Sequence, residues 1–406
     1  MRELDKLAKP DNGDRDSSQD SSQPPSSTLP PAIAVPNQSA LLTRRTSPEP
    51  AHPYRSAFVR DCGRILNAKA FRRLAGKTQV FTRRGAESDH SRSRLTHTLE
   101  VAQIARTIAA TLGLNAPLAE ALALVHDIGH PPFGHAGEKA LDAALHAHNL
   151  GFDHNLHALR IVTSFEERYP SFRGLNLTFA VREGIIKHSR DYAPGSYLEL
   201  SEYLLDLQPP LEAQLIDLAD EIAYLTADLE DGLASGILDL ATVRDQVPIF
   251  ARFFTAAERE FPVADPQLLA NLALKQMLNM LVTDLMQEVA SQTRNLGVLT
   301  LEDLRHAPSR LARFSQPVEA ERQHAKSFLY ANLYLSPELE AEHAHAEDVV
   351  QTLFSTWTAN PELLPPDHLA RVQQEGAPRA VADYIAGMTD AYIEQAWQRN
   401  KEINLK

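Results

Sequence analysis

Apolar residues recur along most of the chain at the spacing of an α-helix. Between Leu274 and Leu285 they occupy positions i, i+3, i+4, i+7, i+8 and i+11, which places them on one helix face. Alternation of apolar and polar residues, which is typical of a strand, is almost absent. The pattern therefore predicts an all-α fold. Further stretches with helical spacing span residues 95–112, 116–128, 154–167, 211–230 and 377–397.

The first 53 residues lack this periodicity. They include PDNGDRDSSQDSSQPPSSTLPPAIAVP, which is rich in Ser, Pro, Asp and Gln and has few bulky apolar side chains. Such a segment cannot bury enough apolar surface to offset the entropy of ordering. We therefore predict a disordered tail over residues 1–53. Deletion of residues 1–50 is expected to leave folding and basal turnover intact. Within the helical region, prolines predict loops at Pro131-Pro132, Pro194-Gly195, Pro209-Pro210 and Pro365-Pro366.

Composition narrows the class of protein. The 406 residues carry a net charge of −13, and 43% of them are apolar. No apolar run approaches the roughly 18 residues of a membrane-spanning helix, and the N-terminus has no apolar core of a secretory signal. A single cysteine, Cys62, excludes a disulfide framework and a multi-cysteine zinc site. The acidic balance disfavours a dedicated duplex-DNA binder. These features predict a cytoplasmic protein without membrane association.

Histidines concentrate in one part of the chain. Nine of the 16 lie between His90 and His157. A strongly apolar helical stretch ends in the pair His126-Asp127, which is costly to bury unless it is paired or binds a metal. A second helical stretch carries His97 near its start. On a third, Asp220, Tyr224 and Asp228 follow each other at intervals of four residues and share one face.

These residues resemble the H…HD…D pattern of the HD-domain metal-dependent phosphohydrolases, and most closely the deoxynucleoside triphosphate triphosphohydrolases (deoxyguanosine-triphosphatase-like proteins). The resemblance implies an HD-domain helical bundle over residues 54–235 and a C-terminal helical region over residues 236–406 that packs on it. It also implies a homo-oligomer, a hexamer or smaller. The matching stretches, in family order, are FRRLAGKTQVF (71–81), SRLTHTLEVAQIAR (93–106), VHDIGHPPFGHAGEKALD (125–142), FDHNLHALRI (152–161), DLADEIAYLTADLEDGL (217–233) and DYIAGMTDAY (383–392).

Two imidazoles and two carboxylates, from His97, His126, Asp127 and Asp220, form the predicted metal site. This mixed set of nitrogen and oxygen ligands suits divalent Mn, Mg, Co, Fe, Ni or Zn and leaves positions for water and a phosphate oxygen.

The segment after the HD pair is the predicted catalytic loop. Glu138 follows His135 by three residues, and an imidazole near a carboxylate is a usual arrangement for a general acid or base. Gly134 and Gly137 are expected to let the backbone approach a ligand closely. The resemblance places His135 and an acidic partner at the scissile phosphate, with His130 and His154 lining the same site.

Substrate contacts are predicted mainly from the resemblance. It places Gln79 at the base and sugar, Arg94 at a phosphate, and Tyr224 and Asp228 at the deoxyribose, where a Tyr ring leaves no room for a 2′-hydroxyl. Lys187 is a further candidate for the phosphates, because Glu221 stands where some relatives have Lys. Eleven Lys or Arg against three acids between Arg55 and Arg94 give a local charge of +8, which suits a polyanion.

The predicted function is therefore metal-dependent hydrolysis of a dNTP, dGTP among the candidates, at the α-phosphorus to deoxynucleoside and inorganic triphosphate. Two alternatives stay open. One is another HD phosphohydrolase, either a nucleotidase or a cyclic-nucleotide phosphodiesterase. The other is a nucleotide sensor or single-strand nucleic-acid-binding protein, and nucleic-acid binding could also coexist with the activity.

Overall fold

The structure is a computed structural model that describes residues 29–79 and 92–404. Helices dominate these residues and no strand occurs among them, which confirms the predicted all-α fold. The helices are α1 (Ala57–Leu66), α2 (Lys69–Arg73), α3 (Arg94–Leu112), α4 (Ala116–Val125), α5 (Gly134–His146), α6 (His154–Arg160), α7 (Phe179–Ile186), α8 (Leu211–Ser235), α9 (Leu240–Gln246), α10 (Pro248–Glu260), α11 (Pro266–Asn295), α12 (Leu301–Arg305), α13 (Gln316–Leu329), α14 (Pro337–Ala359), α15 (Pro366–Glu375), α16 (Ala377–Ala386) and α17 (Asp390–Asn404).

Local sequence explains where α3 and α4 begin and end. The Ser93 hydroxyl accepts a hydrogen bond from the backbone at the start of α3, and the Asn115 side chain does the same at the start of α4. Gly113 ends α3 with a φ of 76°, a backbone conformation that favours glycine. The two helices are thus joined by residues 113–115 alone, which holds them side by side.

Buried apolar side chains form two clusters. The larger includes residues of α1, α3, α4, α8, α11 and α13. The smaller joins α5 to α14, α16 and α17, with Leu141, Leu353, Trp357, Ile385 and Trp397 among its members. The C-terminal helices therefore pack against α5, which carries His135 and Glu138. The domain boundary at residue 235 stays a prediction.

Residues 29–53, which we call the docking segment, pack on the helical core, so the predicted disorder of this part was wrong. Leu29, Ile33, Val35 and Leu42 are buried. The backbone N–H of Val35 donates to Oε1 of the buried Glu212 at 2.9 Å. The apolar residues of this segment are few, but these four enter the core. Residues 1–28 lie outside the described residues.

Two further sequence expectations need correction in detail. The stretch 377–397 is not one helix, because α16 ends at Ala386 and α17 begins at Asp390. Pro366 lies in the first turn of α15, where its missing N–H would have no helical partner in any case. Among the helices of residues 29–79 and 92–404, none combines the length and apolar character needed to cross a membrane.

Candidate active site

The four predicted metal ligands come together where α3, α8 and the end of α4 meet. His97 Nε2 lies 2.7 Å from Asp220 Oδ1. His126 Nε2 lies 3.5 Å from Asp127 Oδ1 and 3.7 Å from Asp220 Oδ1. His97, His126 and Asp127 each offer a ligand atom within 4.8 Å of the others. We call these four residues the metal cluster.

Backbone and charge contacts hold the metal cluster in place. His126 Nδ1 donates to the Ala123 carbonyl at 2.7 Å, which leaves Nε2 facing the carboxylates. Arg94 Nη1 donates to Asp127 Oδ2 at 2.8 Å. Burial favours the neutral imidazole of His126, but Asp127 and Asp220 raise its pKa to about 9. Burial also opposes ionisation of Asp127, yet His126, His130 and Arg94 hold its pKa well below the usual range.

The donor set fits a divalent metal ion. His97 Nδ1 and His126 Nε2 are buried and have no hydrogen-bond partner among the described residues. Unpaired polar atoms in a buried site are costly, so native structures usually satisfy them with a partner or an ion. HD domains bind divalent metals, and the metal cluster could hold one.

The four predicted catalytic residues form a second group beside the metal cluster. Glu138 Oε1 accepts from His154 Nδ1 at 2.8 Å and from the His154 backbone at 3.1 Å. Glu138 Oε2 lies 3.6 Å from Nδ1 of His135, whose side chain is 77% exposed. His130 stacks on His154 with ring centroids 4.1 Å apart. Its Nδ1 lies 3.0 Å from Asp127 Oδ1 and so connects the two groups.

Charges within this second group are set by close contacts. Burial opposes ionisation of Glu138, but the adjacent His135 and the hydrogen-bonded His154 hold its pKa below the usual range. Burial and the nearby Arg94 guanidinium hold the pKa of His130 well below its usual value. The pKa of the Glu138 carboxyl and the pKa of the His130 imidazole are therefore both lowered in this group.

The expectation that Gly134 and Gly137 make room for a ligand is not met. A Cβ on Gly134 would lie 2.8 Å from Arg94 Nη2, and one on Gly137 would lie 1.9 Å from the Pro132 carbonyl. The two glycines therefore allow protein groups to approach each other. Asp390 fixes the same loop, because its Oδ1 accepts from the Phe133 N–H at 3.0 Å.

The predicted sugar-binding residues lie on α8, one and two turns beyond Asp220. Tyr224 stacks on Tyr334 with ring centroids 5.8 Å apart. The Tyr334 hydroxyl donates to Asp228 Oδ2, while Asp228 Oδ1 is buried without a partner among the described residues. Burial raises the pKa of Asp228 to about 8. This arrangement leaves one carboxyl oxygen available to a ligand hydroxyl.

Comparisons with known proteins find two matching family models and several similar proteins. An HD-domain family model matches residues 94–225, and a phosphohydrolase-associated domain model matches residues 312–399. A deoxyguanosinetriphosphate triphosphohydrolase-like protein of Thiobacillus denitrificans is 45% identical over 86% of this chain and 92% of its own length. Proteins of the same name from Bordetella pertussis and Geobacter sulfurreducens are 44% and 41% identical, over 88% and 87% of this chain and 93% and 91% of theirs.

The chain belongs to the deoxyguanosinetriphosphate triphosphohydrolase-like family of HD-domain proteins. Membership of this family makes it a phosphohydrolase.

In this HD-domain hydrolase, only one of the two predicted phosphate-binding residues, Arg94 and Lys187, has a free donor beside the metal cluster. Arg94 is buried beside the metal cluster, and its Nη2 has no hydrogen-bond partner among the described residues. Lys187 does not reach the site as a free cation, so its assignment as a phosphate ligand was wrong. Its ammonium donates to Glu183 Oε1 at 2.9 Å and to the carbonyls of Leu204 and Leu207 at 2.6 and 2.7 Å, which uses all three N–H groups.

Two cations from α13 of this HD-domain hydrolase pair with the residue that follows Asp220. Glu221, which follows Asp220, is 2.5 Å from Arg322 Nη1 and 2.5 Å from Lys326 Nζ. Gln79 is the last described residue before the gap, and its buried Oε1 has no partner among the described residues. Its predicted contact with the base and sugar stays a prediction.

Three arginines of the predicted basic segment pair with acidic residues of the protein. Arg60 and Arg64 pair with Glu49 of the docking segment at 3.3 and 2.7 Å. Arg92 pairs with Glu100 and with Glu230. These arginines therefore stabilise the fold and do not form a free basic face.

Sequence reasoning missed two residues of the site in this HD-domain hydrolase. Tyr334, in a π-helical turn after α13, completes the Tyr224–Asp228 group, and no local motif marks it. His188 lies beside His126 and Asp220. The sequence offered one signal for His188: it is a histidine that directly follows Lys187, which was predicted to bind the phosphates.

Proposed function

We propose that this hydrolase is a metal-dependent dNTP triphosphohydrolase, which releases deoxynucleoside and inorganic triphosphate. The observation that carries the proposal is the arrangement on α8. One face of this helix carries the metal ligand Asp220, and one and two turns further on it carries the aromatic and carboxyl groups of Tyr224 and Asp228. A metal site for phosphate and a hydroxyl-binding site for sugar are thus held at a fixed separation.

His97, His126, Asp127 and Asp220 would hold the metal ion. A divalent ion bound there would supply Lewis acidity, polarising a phosphoryl oxygen and stabilising charge that develops on it. Because the ligand side chains are fixed by Ala123 and Arg94, the protein would lose little entropy in orienting them. Among Mn, Mg, Co, Fe, Ni and Zn, these four ligands alone do not select one.

Proton transfer is assigned to the histidines joined by Glu138. Nδ1 of His135 faces Glu138, so Nε2 is the nitrogen that can give or take a proton at the substrate. His154 Nδ1 donates to the same carboxylate and stacks on His130. Glu138 therefore positions both imidazoles and stabilises them when they are protonated.

Sugar recognition is assigned to Tyr224, Tyr334 and Asp228. The stacked rings form a flat wall beside the carboxyl group, and a wall of this kind leaves no room for a 2′-hydroxyl. Asp228 Oδ1 would accept a hydrogen bond from the 3′-hydroxyl. A site built around a hydroxyl discriminates strongly against ligands that leave its buried polar groups unpaired.

Phosphate charge is assigned to Arg94 in place of Lys187. Arg94 presents an unpaired Nη2 next to the metal cluster. Arg322 and Lys326 lie beside Glu221, so the acidic residue there is already neutralised by two cations. A triphosphate could then approach this edge of the site without net repulsion.

The test is a substrate screen with product analysis. The metal-free protein is incubated with each dNTP and NTP in the presence of Mn²⁺, Mg²⁺ or Co²⁺, and the products are separated by anion-exchange chromatography. We expect deoxynucleoside and inorganic triphosphate in equal amounts, with little turnover of NTPs. Asp127→Ala should lose activity, whereas His146→Ala, which removes an exposed histidine from α5, should not.

Other products would favour the alternatives. Release of orthophosphate from nucleoside monophosphates would indicate a nucleotidase, and opening of cyclic nucleotides would indicate a phosphodiesterase. Nucleotide binding without any product would indicate a sensor. Each of these outcomes would contradict the proposed reaction.

A further inference from the structure

His188 occupies a position that neither the sequence motif nor the family comparison assigns. It follows the end of α7 and is 6% exposed. Its ring lies against that of His126, with centroids 5.3 Å apart and planes at 77°. A ligand nitrogen of His188 lies within 4.8 Å of ligand atoms of both His126 and Asp220. The imidazole is therefore close to two members of the metal cluster, His126 and Asp220.

Contacts on its other side fix the orientation of this ring. His188 Nδ1 lies 2.6 Å from Asp217 Oδ1. The same carboxylate accepts from the Ser189 N–H at 3.0 Å and pairs with Arg310. The His188 carbonyl accepts from Asn155 Nδ2 at 2.7 Å. The side chain and the backbone of His188 are thus both held.

A carboxylate facing one imidazole nitrogen is the arrangement that orients metal-binding histidines. Here Asp217 faces Nδ1, which leaves Nε2 as the ligand nitrogen. The carboxylate, the arginine paired with it and the backbone amide together fix the rotation of this imidazole.

We propose that His188 is a fifth protein ligand of the metal ion, acting together with His97, His126, Asp127 and Asp220. The inference rests on the metal centre of the proposed function and extends it to the choice of metal. Three imidazoles and two carboxylates favour Mn²⁺, Fe²⁺, Co²⁺, Ni²⁺ or Zn²⁺ over Mg²⁺, which prefers oxygen ligands and retains its waters.

The experiment measures metal binding without nucleotide. Full-length protein is freed of metal with EDTA and titrated with Co²⁺ and with Mg²⁺ by calorimetry, and the visible spectrum of bound Co²⁺ is recorded. His188→Gln should weaken Co²⁺ binding by at least about tenfold, shift the Co²⁺ absorption bands, and leave Mg²⁺ binding nearly unchanged. His157→Gln is the matched control, since His157 is another buried histidine near a carboxylate, 3.4 Å from Asp383.

A second variant keeps the test valid if His188→Gln folds poorly. Asp217→Asn retains the imidazole but removes the charge that orients it, and it should also weaken Co²⁺ binding. Wild-type Co²⁺ affinity and spectrum in both variants, with binding lost in Asp127→Ala, would overturn the role of His188 alone. Undiminished Co²⁺ binding in Asp127→Ala would overturn the metal centre itself. Thermal unfolding of each metal-free variant reports whether its fold is intact.

Discussion

Removing residues 29–50 of the docking segment should unfold the protein, whereas removing residues 1–28 should not. The comparison uses two truncated chains, one that begins at residue 29 and one that begins at residue 51. The first retains every contact described for residues 29–53. The second loses the buried side chains of Leu29, Ile33, Val35 and Leu42 and the backbone donor to Glu212.

The expected loss of stability follows from these contacts. Full burial of one Leu, Ile or Val side chain stabilises a protein by about 1.5–3 kcal/mol, so four contribute about 6–12 kcal/mol as an upper limit. Loss of the Val35 N–H leaves one fewer donor to the buried Glu212 carboxylate, at a cost of about 1–3 kcal/mol. The total is comparable to the whole stability of a typical domain, about 5–15 kcal/mol.

Thermal and urea unfolding, followed by circular dichroism, measure the difference. The chain that begins at residue 29 should unfold at the same temperature as the full chain. The chain that begins at residue 51 should be insoluble or unfold at a much lower temperature. Ile33→Ala in the full chain offers a milder test, with an expected cost of about 2–5 kcal/mol. Equal stability of both truncated chains and of Ile33→Ala would refute the docking of this segment.

The remaining predictions concern the site. His135→Ala and His154→Ala should each lower kcat by about 10²–10⁴-fold while metal content stays unchanged, because Glu138 positions both imidazoles for proton transfer. Near-normal kcat in both variants would mean that this group has only a structural role. Tyr224→Ala should narrow the ratio of dNTP to NTP kcat/KM, since the aromatic wall is shortened; an unchanged ratio would place the discrimination elsewhere. The pKa of Asp228 rises from 3.8 to about 8 on folding, so the folded protein retains a proton that the unfolded chain releases. The metal-free protein should therefore lose stability as the pH rises from about 4 to about 8, and Asp228→Asn should reduce the slope of Tm against pH; an unaltered slope would contradict the protonated carboxyl.

Helical periodicity predicted the fold class and several individual helices because amphipathic spacing survives in the sequence itself. The residues 95–112 and 211–230 lie within α3 and α8.

The order of the docking segment was not predicted, and the reason is physical. Its order comes from a few side chains and backbone groups that find partners on α8 and elsewhere, such as Val35 on Glu212. Average composition does not report such pairings.

Residue type and spacing along the chain predicted only the part of the site that depends on local geometry. His126 and Asp127 are adjacent in sequence, and Asp220, Tyr224 and Asp228 share a helix face, so their proximity follows from local geometry. Contacts between distant segments could not be inferred in this way, because the packing of α13 and of the segment after α7 on α8 is a property of the tertiary structure. Tyr334, His188 and the pairing of Glu221 with α13 therefore emerged only from the fold.

The central claim is that the chain hydrolyses dNTPs at the α-phosphorus, and heavy-oxygen labelling tests it most directly. The protein, loaded with Mn²⁺ or Co²⁺, hydrolyses its best dNTP in water enriched in heavy oxygen, and mass spectrometry locates the label. The account predicts one heavy oxygen in inorganic triphosphate and none in the deoxynucleoside, because water attacks phosphorus and the 5′-oxygen leaves with the sugar. Heavy oxygen in orthophosphate or pyrophosphate, with a deoxynucleotide as the other product, would contradict it.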